Sequence, residues 1–228
     1  MRAIISIASI LVLASCTRAP RPTATTPPGA TTPPGIATPE AARAPTCSYC
    51  PVSLSNKASS AFGVPTGQQP NGCKTGLSNG FPLPDPNCTP GAENPTVTLD
   101  VLRNQAFRTG CIRNCATSEQ QKHVTYGWYS LPAPPDNTGD NQTCELDHLV
   151  PLELGGADTL DNIWPQCGPD GVSLNDRYFK QKDLVENYLT AQVKSGAMDI
   201  ETARHQIATD WTPFLAAAKQ HCATSGCP

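Results

Sequence analysis

The sequence has no hydrophobic run long enough to cross a membrane. Its longest apolar stretch, residues 3–14, falls short of the roughly 20 residues a spanning helix needs, and Thr17, Arg18 and Pro20 follow at once. It also lacks a basic excess: the formal net charge is -3, and from Asn94 onward ten Lys or Arg stand against sixteen Asp or Glu. That balance counts against a surface that grips many phosphates, because counterion release onto a basic face supplies most of such affinity. Cys47 and Cys50 form a Cys-x-x-Cys pair, but no second such pair and no His pair at ligand spacing completes a zinc site. Nor is there a His-Glu-x-x-His or Ser-His-Asp pattern to mark a peptidoglycan or protein hydrolase.

What is present starts at the N-terminus. Met1-Arg2, the apolar stretch and the small residues of Leu13-Ala14-Ser15-Cys16 form an export signal. Leu-Ala-Ser-Cys resembles the lipobox of bacterial lipoproteins, which implies lipidation of Cys16 and a membrane contact made through that anchor alone. The alternative is an ordinary secretory cleavage site, and either reading takes the protein out of the cytoplasm into the envelope or beyond. Residues 17–45 are almost entirely Pro, Thr, Ala and Gly, too poor in apolar mass to offset the entropy of ordering, and read as a tether. Of eleven cysteines, setting Cys16 aside leaves an even ten, which fits a disulfide framework in an oxidising compartment.

Residues 46–93, rich in Gly, Pro, Asn and Ser with four cysteines, read as a loop-rich, disulfide-stapled appendage. Residues 94–228 form the larger domain. A short helix is expected after Thr98, toward Phe107. Cys144-Glu145-Leu146-Asp147-His148 alternates polar and apolar residues as a half-buried strand does, Gly155-Gly156 supplies a turn, and Asp161-Asn162-Ile163-Trp164-Pro165 reads as the return strand ending at Pro165. A helix over about residues 176–195, capped by Asn175 or Ser173 and stopped by Gly196, would bury Val185, Leu189 and Val193. Two more helices follow, one from Asp199 and one with Pro213 at its first position. Trp164 and Trp211 read as core. The hairpin reading sets Cys144 and Cys167 opposite each other, and a disulfide between them is expected.

Strand, strand and helix with Asp147-His148 on the first strand and Asn162 on the second resemble the ββα-metal core of the His-Asn-His endonucleases. The resemblance extends over residues 94–214 through Pro95-Thr96-Val97-Thr98, Glu145-Leu146-Asp147-His148-Leu149-Val150-Pro151-Leu152, Gly155-Gly156, Asn162-Ile163-Trp164-Pro165, Lys182-Asp183-x-x-Glu186 and Ile207-Ala208-Thr209-Asp210-Trp211. It implies an α+β fold with that core, extra C-terminal helices and the disulfide-rich appendage. It also implies metal-dependent hydrolysis of a nucleic acid, DNA ahead of RNA, with no protein partner inferred. His148 would be the general base, Asn162 would fix its imidazole, and Asp147 would bind the metal.

No histidine lies between His148 and His205, so the helix position of the motif is not His. Asn175 is the expected second ligand, with Asp176 behind it, and oxygen ligands of this kind favour Mg²⁺ or Mn²⁺. Adjacent strand residues point to opposite faces, so a bulge or a strand end is needed if Asp147 and His148 are to act together. Lys182, Asp183 and Glu186 read as a solvated helix face, although Arg177, Lys180 and Lys182 stand where they could meet phosphates. Glu145 could support the site or be a surface carboxylate. A reading from another class is a non-catalytic envelope lipoprotein that keeps the scaffold as a binding module.

Overall fold

The structure, a computed structural model, describes residues 70–113 and 122–227. The leader, Cys16, the tether and residues 46–69, with Cys47 and Cys50, lie outside the described residues, as does Cys115. Short strands β1 (Gly76–Ser78) and β2 (Phe81–Leu83) pair antiparallel. Two one-turn helices follow, α1 (Leu99–Arg103) and α2 (Val124–Trp128), then strands β3 (Cys144–His148) and β4 (Ile163–Cys167). Three longer helices close the chain: α3 (Tyr178–Ser195), α4 (Ile200–Thr209) and α5 (Leu215–Ser225). The fold is α+β, mixed helices with two small antiparallel sheets and disulfides.

The helices form where the apolar spacing puts them. Val185, Leu189 and Val193 line one face of α3, fully buried, and pack with Ala203 and Ile207 of α4 and with Trp211, Leu215 and Ala218. Side chains three and four apart share a face, so this stripe is the core of the C-terminal half. Gly196 stops α3 at φ 83°, where its N–H returns to the carbonyls of Gln192 and Val193. Asp199 caps α4 by accepting from the Thr202 N–H. The start of α3 differs from expectation: residues 174–176 make a separate 3-10 turn, Ser173 donates to Asp176 instead of capping, and the helix begins at Tyr178 without a side-chain cap. The third helix also has a 3-10 turn, Thr212–Phe214, which takes up Pro213 before α5 begins.

In the β3–β4 hairpin Cys144 lies opposite Cys167, Asp147 opposite Trp164 and His148 opposite Ile163, with no bulge. A disulfide joins Cys144 to Cys167, Cα atoms 4.0 Å apart. Cys73–Cys88 and Cys222–Cys227 are also bonded. Pro165 sits inside β4, opposite Leu146, not at its end. A two-stranded sheet is all edge, so the N–H that proline lacks need not be missed there. The return strand starts two residues later than the sequence suggests, because Leu160–Asn162 form a 3-10 turn first.

Gly155-Gly156 is not a tight hairpin turn but part of a longer connection that also holds the 3-10 turn Leu152–Leu154. A Cβ on Gly156 would lie 1.8 Å from the Val150 carbonyl oxygen, so only glycine fits where the connection folds back on itself. The described part of the loop-rich segment is stitched to this connection and to the helices. Gly91 N–H bonds the Asp161 carbonyl at 3.1 Å, Ala157 N–H bonds the Ala92 carbonyl at 2.9 Å, and Phe81 packs edge-on against Trp211, ring centroids 5.0 Å apart.

Candidate active site

His148 is the last residue of β3, where the strand gives way to the long connection. Its Nε2 lies 2.8 Å from Oδ1 of Asp158. Asp158 is almost fully enclosed and also meets the Lys122 ammonium at 3.4 Å. An ionised carboxylate only accepts, so Nε2 carries the proton and Nδ1 keeps the lone pair. Burial pulls the imidazole below the ordinary histidine range, and the hydrogen bond and charge of Asp158 oppose it only in part. At neutral pH His148 is therefore an uncharged imidazole held in one tautomer. It lines a cleft of about 700 Å³ together with Arg113, Lys122, His123 and Tyr126.

Asn162 does not touch that imidazole. Fully buried, it accepts from the Val150 N–H at 2.9 Å and donates to the carbonyls of Val150 at 2.9 Å and Ala157 at 2.8 Å. It cross-links both sides of the connection that carries Asp158, so it bears on His148 from a distance while Asp158 orients the ring directly. Sequence reasoning missed Asp158, Lys122, His123 and Arg113. Asp158 had a signal: an imidazole used as a base is oriented by a carboxylate or carbonyl, and Asp158 stands just past the two glycines that fold the connection back.

Asp147 takes different partners from its neighbour. Its Oδ2 lies 2.9 Å from the Lys182 ammonium and accepts from Trp164 Nε1 at 3.2 Å, all three side chains being buried. Lys182 therefore faces neither solvent nor phosphate. It is fully buried, and besides Asp147 it donates to Glu186 and to the His148 carbonyl oxygen at 2.8 Å. Its stem packs into the helix–hairpin interface and its charge is neutralised there, which is the only cheap way to enclose an ammonium. Burial raises the carboxyls of Asp147 and Glu186 against the pull of Lys182. Glu145, on the same strand, is pushed up to about 7, by burial first and then by the charges of Asp147 and Asp183.

The expected ligand pair is not assembled. Asn175 is exposed on the 3-10 turn before α3, where its backbone carbonyl accepts from Gln181, and Asp176 is exposed beside it. Among the described residues no group of three or more His, Cys, Asp and Glu is arranged to hold a metal ion. A divalent ion does not fit beside Asp147 as the side chains stand, since the bonded oxygen already faces an ammonium. Arg177 is buried, donating to the Pro169 carbonyl and paired with Asp170 at 3.5 Å. Lys180 keeps about a third of its side chain exposed, 35%, and pairs with Asp183 at 2.8 Å. Of the three cations expected to meet phosphate, Lys180 alone reaches solvent to that extent. The chain matches no known family model, no curated protein and no solved structure.

Proposed function

We propose that this protein is a phosphodiester hydrolase acting on nucleic acid, built on a ββα hairpin–helix unit of the His-Asn-His type. The observation that carries the reading is the buried His148–Asp158 pair opening into a cleft edged by Arg113, Lys122 and His123. In the reaction His148 Nδ1 takes a proton from the attacking water. The water oxygen bonds to phosphorus as the P–O ester bond breaks in line, and the leaving oxygen takes a proton from solvent. Asp158 stabilises the imidazolium formed, and the cleft cations offset charge developing on the phosphoryl oxygens.

The test is incubation of the purified chain with plasmid DNA and with RNA, beside His148→Ala as control. Conversion of supercoiled plasmid or shortening of RNA by the parent chain alone is expected. Equal rates with both chains would reject the assignment. The same proposal has the enzyme working outside the cytoplasm on a lipid anchor at Cys16. Cys16→Ser should move it from the membrane fraction to the soluble fraction, and a wild-type chain that is already soluble would remove the anchor.

A further inference from the structure

An ammonium has three N–H donors, and in Lys182 each meets an oxygen: Asp147 Oδ2 at 2.9 Å, Glu186 Oε1, and the carbonyl oxygen of His148 at 2.8 Å. Two of these are carboxylates from different elements, β3 and α3. The third is the backbone of the residue that carries the proposed base. Hard oxygens converging on one point make a cage for a cation, and here the occupant is covalently part of the chain. Burial alone would weaken an ammonium, and the two carboxyl groups in direct contact with it are what offset that burial. Trp164 Nε1 bonds the same Asp147 oxygen and keeps the carboxylate turned inward.

We propose that Lys182 is the resident cation of this site, supplying as a fixed side chain the positive charge that a hairpin–helix site of this type takes from a divalent ion, and that no divalent ion binds at Asp147. The comparison with a metal site rests on the hydrolase reading, whereas the binding test does not need activity. A divalent ion at Asp147 would have to approach an ammonium already in contact with the ligand oxygen, or drive a fully buried side chain out of the helix–hairpin interface. The bond to the His148 carbonyl gives Lys182 a second task, tying the end of β3 to α3 beneath the base.

Titration of the whole chain with Mn²⁺, followed by the loss of the free-ion electron paramagnetic resonance signal, reads the site directly. Wild type and Asp147→Asn should give superimposable curves. Lys182→Ala leaves the oxygens of Asp147, Glu186 and His148 around the space the ammonium filled. It should bind one Mn²⁺ at least tenfold more tightly than any wild-type site, and Asp147→Asn in the same chain should abolish that binding. Lys182→Met, which keeps the space filled, should not gain it. If Lys182→Ala is unfolded by circular dichroism without metal, Mn²⁺ should raise its thermal midpoint and leave that of the Lys182→Ala/Asp147→Asn chain unchanged. Binding by wild type that Asp147→Asn removes would overturn the proposal, as would a Lys182→Ala chain that neither binds nor gains stability. Cleavage abolished by EDTA would overturn it as well. A chain that cleaves nothing yet shows the expected Mn²⁺ pattern would count against the hydrolase reading alone.

Discussion

His148 combines two properties that a general base needs at neutral pH, a lone pair on a defined nitrogen and a pKa below the working pH. The first comes from Asp158, the second from burial that Asp158 only partly reverses. Replacing Asp158 with Asn removes the group that raises the imidazole pKa and leaves the tautomer unspecified. Asp158→Asn should therefore slow cleavage by roughly 10²-fold or more and move the acid limb of the rate profile to lower pH. A profile of kcat/KM against pH identical to wild type would remove Asp158 from the mechanism. The same shift affects stability: with the folded pKa of His148 below the unfolded value of about 6.5, the unfolded chain binds more protons between the two. His148's contribution is intact above about 6.5 and is lost as pH falls toward the folded pKa.

Glu145 has the opposite sign. Its folded pKa of about 7 stands above the ordinary glutamate value, so its contribution is present at low pH and is lost as pH rises through about 7. Glu145→Gln should therefore raise the stability at pH 8 by about 1 kcal/mol, after allowance for its partial exposure, and leave stability at pH 4 nearly unchanged. Urea midpoints at the two pH values decide it, and an equal change at both would show that burial does not perturb this carboxyl.

At the scale of elements, the hairpin and its connection act as one unit. The disulfide between Cys144 and Cys167 ties the open ends of β3 and β4, and Asn162 ties the other end. Cys144→Ser/Cys167→Ser should lose roughly 3 kcal/mol by the chain-entropy argument for a separation of 23 residues. Asn162→Ala strands one buried N–H and two carbonyls and should cost about 3 kcal/mol. Asn162→Asp is the sharper test: it keeps an acceptor for the Val150 N–H but puts a second acceptor against the Val150 and Ala157 carbonyls, and should lose stability and cleavage together. Loss of cleavage at wild-type stability would mean that Asn162 acts on the reaction without holding the connection.

The long helix, its glycine stop and the two strands were legible because apolar spacing and local chemistry settle them. The connection was not, because nothing in a Gly-Gly pair distinguishes a two-residue turn from two glycines inside a longer fold-back. The burial of Lys182 was illegible for a similar reason: a Lys-Asp-x-x-Glu run looks solvated until the hairpin supplies Asp147 and the His148 carbonyl as partners.

For the molecule as a whole, the acidic balance and the two cations of the cleft make a joint prediction. The chain carries a net charge of -3, so its overall charge does not draw a polyanion toward the cleft from a distance. The side-chain cations that line the cleft are Arg113 and Lys122, and Lys122 is buried and already shares its charge with Asp158. Each phosphate neutralised contributes about -0.9 to the slope of log affinity against log salt on duplex DNA. Two local cations, one of them buried and partly neutralised, therefore set that slope between about -1 and -2, well short of the steep dependence of a protein that grips six or more phosphates. Arg113→Ala should reduce the magnitude by about one and weaken binding to all sequences alike. Fluorescence anisotropy of a labelled duplex with the His148→Ala chain, which binds without cutting, measures it between about 50 and 200 mM salt. A slope steeper than about -5 would mean that the nucleic acid runs beyond the cleft onto a surface this charge balance does not provide, and the site would have to be sought elsewhere on the molecule.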